Sequence, residues 1–103
     1  MDKAYTLSYL PLFEEELKKV RDYIAFDLQS PASALKLVED TEQAILKRLQ
    51  NPLAFEPYRS KKNRKHPYYR IYIRNYTVFY VVINYVMEVR RFVYSKRNIS
   101  EII

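Results

Sequence analysis

The sequence predicts an α+β domain of order β-α-α-β-β-β, with a helical hairpin packed on one face of a mostly antiparallel sheet. Three observations predict it. Two consecutive apolar stripes have helical spacing, the pattern changes to period two after residue 68, and prolines and turn-forming residues stand at the junctions.

Tyr5, Leu7 and Tyr9 alternate with Ala4, Thr6 and Ser8, so residues 3–9 read as a first strand. Pro11 then opens a helix where its missing N–H costs nothing. Glu14, Glu15 and Glu16 fall in the first turns, where the helix dipole favours negative charge. The triplet therefore reads as a helix-start feature rather than a carboxylate active site. Phe13, Leu17, Val20, Ile24 and Leu28 form the buried stripe. Ser30-Pro31 starts a second helix, with serine as N-cap and proline at the first helical position. Its stripe is Ala34, Val38, Thr41, Ile45 and Leu49, flanked by Leu35 and Leu37, and Asn51-Pro52 ends it. The short break between the helices implies an antiparallel hairpin.

Residues 53–67 have no period. They carry Pro57, Pro67, Arg59, Lys61, Lys62, Arg64, Lys65 and His66, and read as an exposed basic loop. Alternation then begins, with Tyr69, Ile71 and Ile73 on one face and Arg70, Tyr72 and Arg74 on the other. Asn75-Tyr76 is the expected turn. Residues 76–83 are apolar on both faces, as a central strand should be. Asn84-Tyr85 turns again, residues 86–95 make a last long strand, and residues 96–103 are a candidate final helical turn. The helices should cover one face of the sheet and leave the other, with its Arg70–Tyr72–Arg74 row, for function.

Composition narrows the function. The chain has 103 residues, 49% of them hydrophobic, which suits one domain spanning 1–103. It has no cysteine, so disulfides, thiol nucleophiles and Cys-based zinc sites are excluded, and a reducing cytosol fits. It has no glycine, which excludes Gly-rich phosphate loops and dinucleotide fingerprints. With one histidine, His66, no His-rich metal triad can form. No secretory signal is legible at the start, and the most apolar stretch, residues 78–83, is too short to span a bilayer. A soluble, cytoplasmic protein with no membrane partner is expected.

Charge divides the chain. Residues 1–54 hold 7 Lys/Arg against 9 Asp/Glu, whereas residues 55–103 hold 11 against 3. A basic half on a small domain points to a polyanionic partner, either nucleic acid or an acidic protein segment.

The last third carries a resemblance. Tyr69 to Arg74 (YRIYIR), Asn75 to Tyr80 (NYTVFY) and Val89 to Asn98 (VRRFVYSKRN), in this order and spacing, resemble the RelE/ParE toxins of bacterial type II toxin–antitoxin systems. The resemblance implies a cytosolic toxin, associated in its family with plasmid stabilisation, neutralised by a cognate acidic antitoxin. RelE-like members enter the ribosome and cut mRNA by a metal-free transesterification needing no cofactor. ParE-like members share the fold and poison DNA gyrase. In the RelE-like site, the first-strand lysine falls at Arg70 and the second at Tyr72. The central-strand arginine falls at Thr77, the late arginine at Arg97 beside Lys96, and the terminal tyrosine near Ile103. Arg70 and Arg97 are thus the candidate catalytic residues of an endoribonuclease. Lys61, Lys62, Arg64, Lys65, His66, Tyr72, Arg74, Tyr94 and Lys96 are the candidates for binding nucleic acid or target. Arg90 or Arg91 supplies further positive charge, His66 suits acid–base work, and Tyr72 and Tyr94 suit base stacking.

Overall fold

The computed structural model describes residues 4–59 and 64–103. Strand β1 (Thr6–Tyr9) is followed by α1 (Pro11–Asp22), a π-helical turn (Tyr23–Asp27) and α2 (Pro31–Leu49). Strands β2 (Tyr69–Ile73), β3 (Tyr76–Ile83) and β4 (Val86–Tyr94) and the short helix α3 (Ile99–Ile102) complete the order. The sheet runs β1-β4-β3-β2. β1 is parallel to β4, and the other pairs are antiparallel. This is the expected α+β arrangement. No helix among the described residues is long and apolar enough to cross a membrane.

The helical face of the sheet holds the main core. Phe13, Leu37 and Ile45 from the helices pack on Tyr69, Ile71, Ile73, Val78, Tyr80, Met87, Val89 and Phe92. Thr41 is buried among them at no polar cost, because its hydroxyl donates to the Leu37 carbonyl at 2.7 Å. Leu37, expected to flank the stripe, is central to it. Leu28, expected within the first stripe, is exposed. The π-helical turn explains this. Its wider winding shifts every later residue around the helix axis, so Phe26 and Leu28 swing outward.

Glu14 sits in the first turn of α1 as the dipole argument expects, but Glu16 does something else. β1 ends at Tyr9, so β4 runs on from residue 90 with no parallel partner. Glu16 fills that gap. One carboxylate oxygen accepts the Phe92 backbone N–H at 3.0 Å, and the pair of oxygens receives the Arg91 guanidinium at 3.0 and 2.8 Å. The hydrogen bond and charge of Glu16 hold the Arg91 guanidinium above its ordinary pKa against the opposing pull of burial.

The turn after β2 lies one residue earlier than expected, at Arg74–Asn75. Arg74 adopts φ 52°, a left-handed conformation that costs a non-glycine residue about 1 kcal/mol. The expected Asn84–Tyr85 turn is present, with φ 50° and 65°. Two consecutive left-handed residues match the twist of a two-residue hairpin.

A buried polar network joins α2 to the sheet. The Tyr80 hydroxyl donates to the Pro52 carbonyl at 2.7 Å and accepts from Arg48 at 3.0 Å. Arg48 also donates to the Arg70 carbonyl at 2.9 Å, and its guanidinium lies 3.6 Å from the centroid of the Phe55 ring. Burial pushes the Tyr80 hydroxyl above 10.0, although Arg48 pulls the other way.

Glu16→Ala strands the Arg91 guanidinium and the Phe92 N–H, and should lower unfolding free energy in urea by about 2 kcal/mol; an unchanged midpoint would refute the edge role. Tyr80 has a folded pKa raised above its unfolded value, so its contribution is full below pH 10 and declines as pH climbs through the raised value. Tyr80→Phe should therefore be less stable than the parent at neutral pH, with a smaller loss of stability above pH 10, as followed by circular dichroism.

Candidate target-binding surface

The second face of the sheet is not left bare, contrary to expectation. Tyr68, Phe79, Val81, Val93 and Ile103 form a second core there, with Tyr58, Ile83, Ile99 and Ile102 packed around it. The loop before β2 and the C-terminal helix α3 thus close much of this face. Arg64 donates to the Ile103 carbonyl, and Tyr58 donates its backbone N–H to Tyr68 at 2.6 Å. The apolar face of β3 required this cover. A strand buried on both sides needs a layer on each.

A β-bulge shapes the arginines of this face. Phe79 pairs with Arg91 but Tyr80 pairs with Val89, so Arg90 is the extra residue. The bulge breaks the alternation and sends two successive arginines toward the second face. Arg90 binds Glu88 at 2.7 Å and approaches the Tyr68 hydroxyl at 3.5 Å, and Arg91 reaches the Ile102 carbonyl at 3.5 Å. Burial lowers the Arg90 pKa, but the bonds to Tyr68 and Glu88 outweigh it and the net shift is upward.

Arg70 stands apart. Its guanidinium carbon lies 5.0 Å from the Tyr58 ring centroid and 5.8 Å from that of Tyr72. Among the described residues no carboxylate or hydrogen-bond acceptor meets its side chain. Arg74, Arg90 and Arg91 each have an acid partner: Asp40, Glu88 and Glu16. Tyr72 is 64% exposed, which leaves one wall of the Arg70 clamp open to solvent.

The sequence-predicted residues therefore separate. Arg70 and Tyr72 share the second face. Arg74 does not continue their row. It sits in the turn and reaches back to Asp40 of α2 at 2.5 Å, because the left-handed backbone ends the alternation. Tyr94 lies on the helical face, edge-on to Tyr76 with ring centroids 5.8 Å apart. Lys96 and Arg97 are exposed in the turn after β4. Arg64 is partly buried over the Tyr68 ring at 4.8 Å, and Lys65 is exposed beside the half-buried His66. Lys61 and Lys62 lie outside the described residues. Among those described, no group of three His, Cys, Asp or Glu residues is placed to hold a metal ion.

Thr77 decides the chemistry of the central strand. It is 3% exposed, and its hydroxyl shares a 2.7 Å hydrogen bond with that of Ser95. Among the described residues no cation bonds to it, and Ser95 closes the position. Near the terminus, Ile103 is an apolar plug of the second core rather than a proton donor.

Sequence reasoning missed Tyr58, Tyr68, Arg48 and Glu16. Tyr58 sits in a segment without period, so no pattern assigns its ring to a face. Glu16 was read with Glu14 and Glu15 as a helix-start feature, which hid its bonds to Arg91 and Phe92.

Two helices on one face of a β1-β4-β3-β2 sheet, with a short helix and loop on the other, define a small three-layered α+β domain. A family model for the ParE toxin of the type II toxin–antitoxin system parDE matches residues 7–99. The chain belongs to this ParE toxin family. Solved structures share the fold. The chromosomal ParDE toxin–antitoxin system from P. aeruginosa superposes with a TM-score of 0.75 at 15% identity, covering 89% of this chain and 97% of that one. The archaeal RelE–RelB complex from Pyrococcus horikoshii OT3 superposes with a TM-score of 0.57 at 13% identity, covering 92% and 99%. No curated protein sequence matches the chain.

The closure at Thr77 yields a prediction. Thr77→Arg, which would restore the central-strand cation of RelE-like sites, must bury a charge in a filled position. It should destabilise the protein by about 3 kcal/mol or more in urea unfolding and produce no nuclease. A stable, RNA-cleaving T77R protein would contradict this account of the face.

Proposed function

We propose that this toxin arrests growth by binding DNA gyrase rather than by cutting RNA, and that a cognate acidic antitoxin neutralises it. The observation that carries the reading is Thr77. A phosphorane needs preorganised positive charge at the centre of the site, and the central strand offers a buried threonine bonded to Ser95. The ParE family match supports the same choice. The antitoxin is supported by the toxin–antitoxin complexes with the same fold, and its acidity by the excess of Lys/Arg over Asp/Glu after residue 54. Location in the cytoplasm follows from a target that works on DNA.

Ribosome-dependent mRNA cleavage is the second reading. Arg70 beside the exposed Tyr72 favours it, because a guanidinium and a ring together suit a stacked nucleotide. In that reading Arg97 would supply a second cation from the turn after β4.

The two readings part in one experiment. Purified protein should block supercoiling by gyrase at a level where mRNA ends in expressing cells stay unchanged. Codon-phased mRNA cuts that vanish in Arg70→Ala, with supercoiling intact, would reverse the assignment.

A further inference from the structure

We propose that Arg48 is a positioning residue for the contact with the target. From the end of α2 it fixes the backbone of Arg70 and the loop that lays the Tyr58 ring against the Arg70 guanidinium. That guanidinium then meets an oxyanion on gyrase already oriented. This deepens the gyrase reading and rests on it.

The backbone geometry comes first. Ile73 and Tyr76 flank a two-residue turn, which makes them a hydrogen-bonded pair. Alternation then gives the bonds to β3 to Ile73, Ile71 and Tyr69, and turns the N–H and C=O of Arg70 and Tyr72 outward. β2 is the last strand of the sheet, so an outward carbonyl there would ordinarily go to water. That of Arg70 goes to Arg48 instead, at 2.9 Å from the last turn of α2. The same Nη1 reaches the Tyr80 hydroxyl at 3.0 Å, and that hydroxyl holds the Pro52 carbonyl at 2.7 Å. The Arg48 guanidinium also packs on the Phe55 ring, 3.6 Å from its centroid. Arg48 thus ties the strand at Arg70 to the following loop at Pro52 and Phe55. Three residues further on, the Tyr58 N–H is fixed on the Tyr68 carbonyl at 2.6 Å, and its ring lies 5.0 Å from the Arg70 guanidinium carbon.

The way Arg70 is held sets it apart from its neighbours. Arg74, Arg90 and Arg91 are held by carboxylates, which occupy their donors. Arg70 is held by its backbone and by the faces of Tyr58 and Tyr72, which leave its planar fork of N–H donors unspent. Arg48 meets no carboxylate among the described residues. Its donors go to a backbone carbonyl and a phenol, so it contributes placement rather than charge neutralisation. Ordering a free side chain on binding weakens affinity by roughly two- to tenfold. Arg70, ordered in advance, escapes most of that loss.

Inhibition of gyrase supercoiling by the full chain, together with the NMR signal of the Arg70 side-chain Nε–H, tests the inference. Arg48→Met keeps the stem of the side chain and the Tyr80–Pro52 bond but removes the donors. It should raise the half-inhibitory concentration about fivefold, and Arg48→Lys, which keeps a donor, should restore most of it. Arg70→Ala should raise it at least about tenfold. In the Arg70→Ala background, Arg48→Met should add less than about twofold, because it acts through Arg70. In the free protein, the Arg70 Nε–H signal should sit away from the position of an exposed arginine, move to that position in R48M and return in R48K. An unmoved Arg70 signal in R48M would overturn the proposal. So would an equal loss of inhibition from R48M with and without Arg70, which would mark a general loss of stability, or full inhibition by R70A. A parent chain that leaves supercoiling intact would remove the gyrase reading instead, and the Arg70 signal would still decide whether Arg48 positions it.

Discussion

The carboxylate of Glu16 against Arg91 and the Phe92 N–H is the contact on which the arrangement of layers depends. β4 is the hub of the sheet, pairing with β3 along its length and with β1 over four residues. Where β1 gives way to α1, an unpaired edge would face the helix with unsatisfied donors. An unpaired buried N–H is costly. One side chain from the second turn of α1 satisfies the N–H, neutralises the arginine and ties the helix to the strand. The aromatic ladder of Tyr9, Phe13 and Phe92 packs beside it, with centroids 5.4 and 6.2 Å apart.

Arg91 carries the constraint through to the other side. It also meets the Ile102 carbonyl, so α1, β4 and α3 share one guanidinium. The bulge at Arg90 makes this possible by aiming two arginines at the second face. α3 then seats Ile103 over Phe79, Val81 and Val93, while Tyr58 and Tyr68 meet Phe79 edge-on. What stays open is the β2 side of that face, with Arg70 and Tyr72. The surface left for a partner is thus a remainder, defined by what the second core covers.

Much of the fold was legible in the sequence, because it is local. The stripes at Phe13 to Ile24 and Ala34 to Leu49, the prolines at helix starts and the alternation after Tyr68 report structure at their own positions. The failures share a different cause. The outward swing of Leu28 comes from a π-helical turn with no sequence signature here, and the turn slipped one residue because Arg74 accepts a left-handed backbone usually given to glycine or asparagine. The site was half legible. Arg70 and Tyr72 follow from period two. Their separation from Arg74 and Tyr94 does not, because it depends on where alternation stops and on which partner pairs with which residue. The second core was hidden because Tyr58 and Ile103 belong to segments without period, and only tertiary packing assigns them a face.

Amide hydrogen exchange on the free full chain reads the edge sealed by Glu16 and the outward side of β2 in one sample. The Phe92 amide, held by Glu16, should exchange slowly, as should the Ile71 and Ile73 amides in the β3 ladder. The Tyr72 amide between those two should exchange fast. A Phe92 amide exchanging as fast as that of Tyr72, or a Tyr72 amide as protected as its neighbours, would contradict this arrangement.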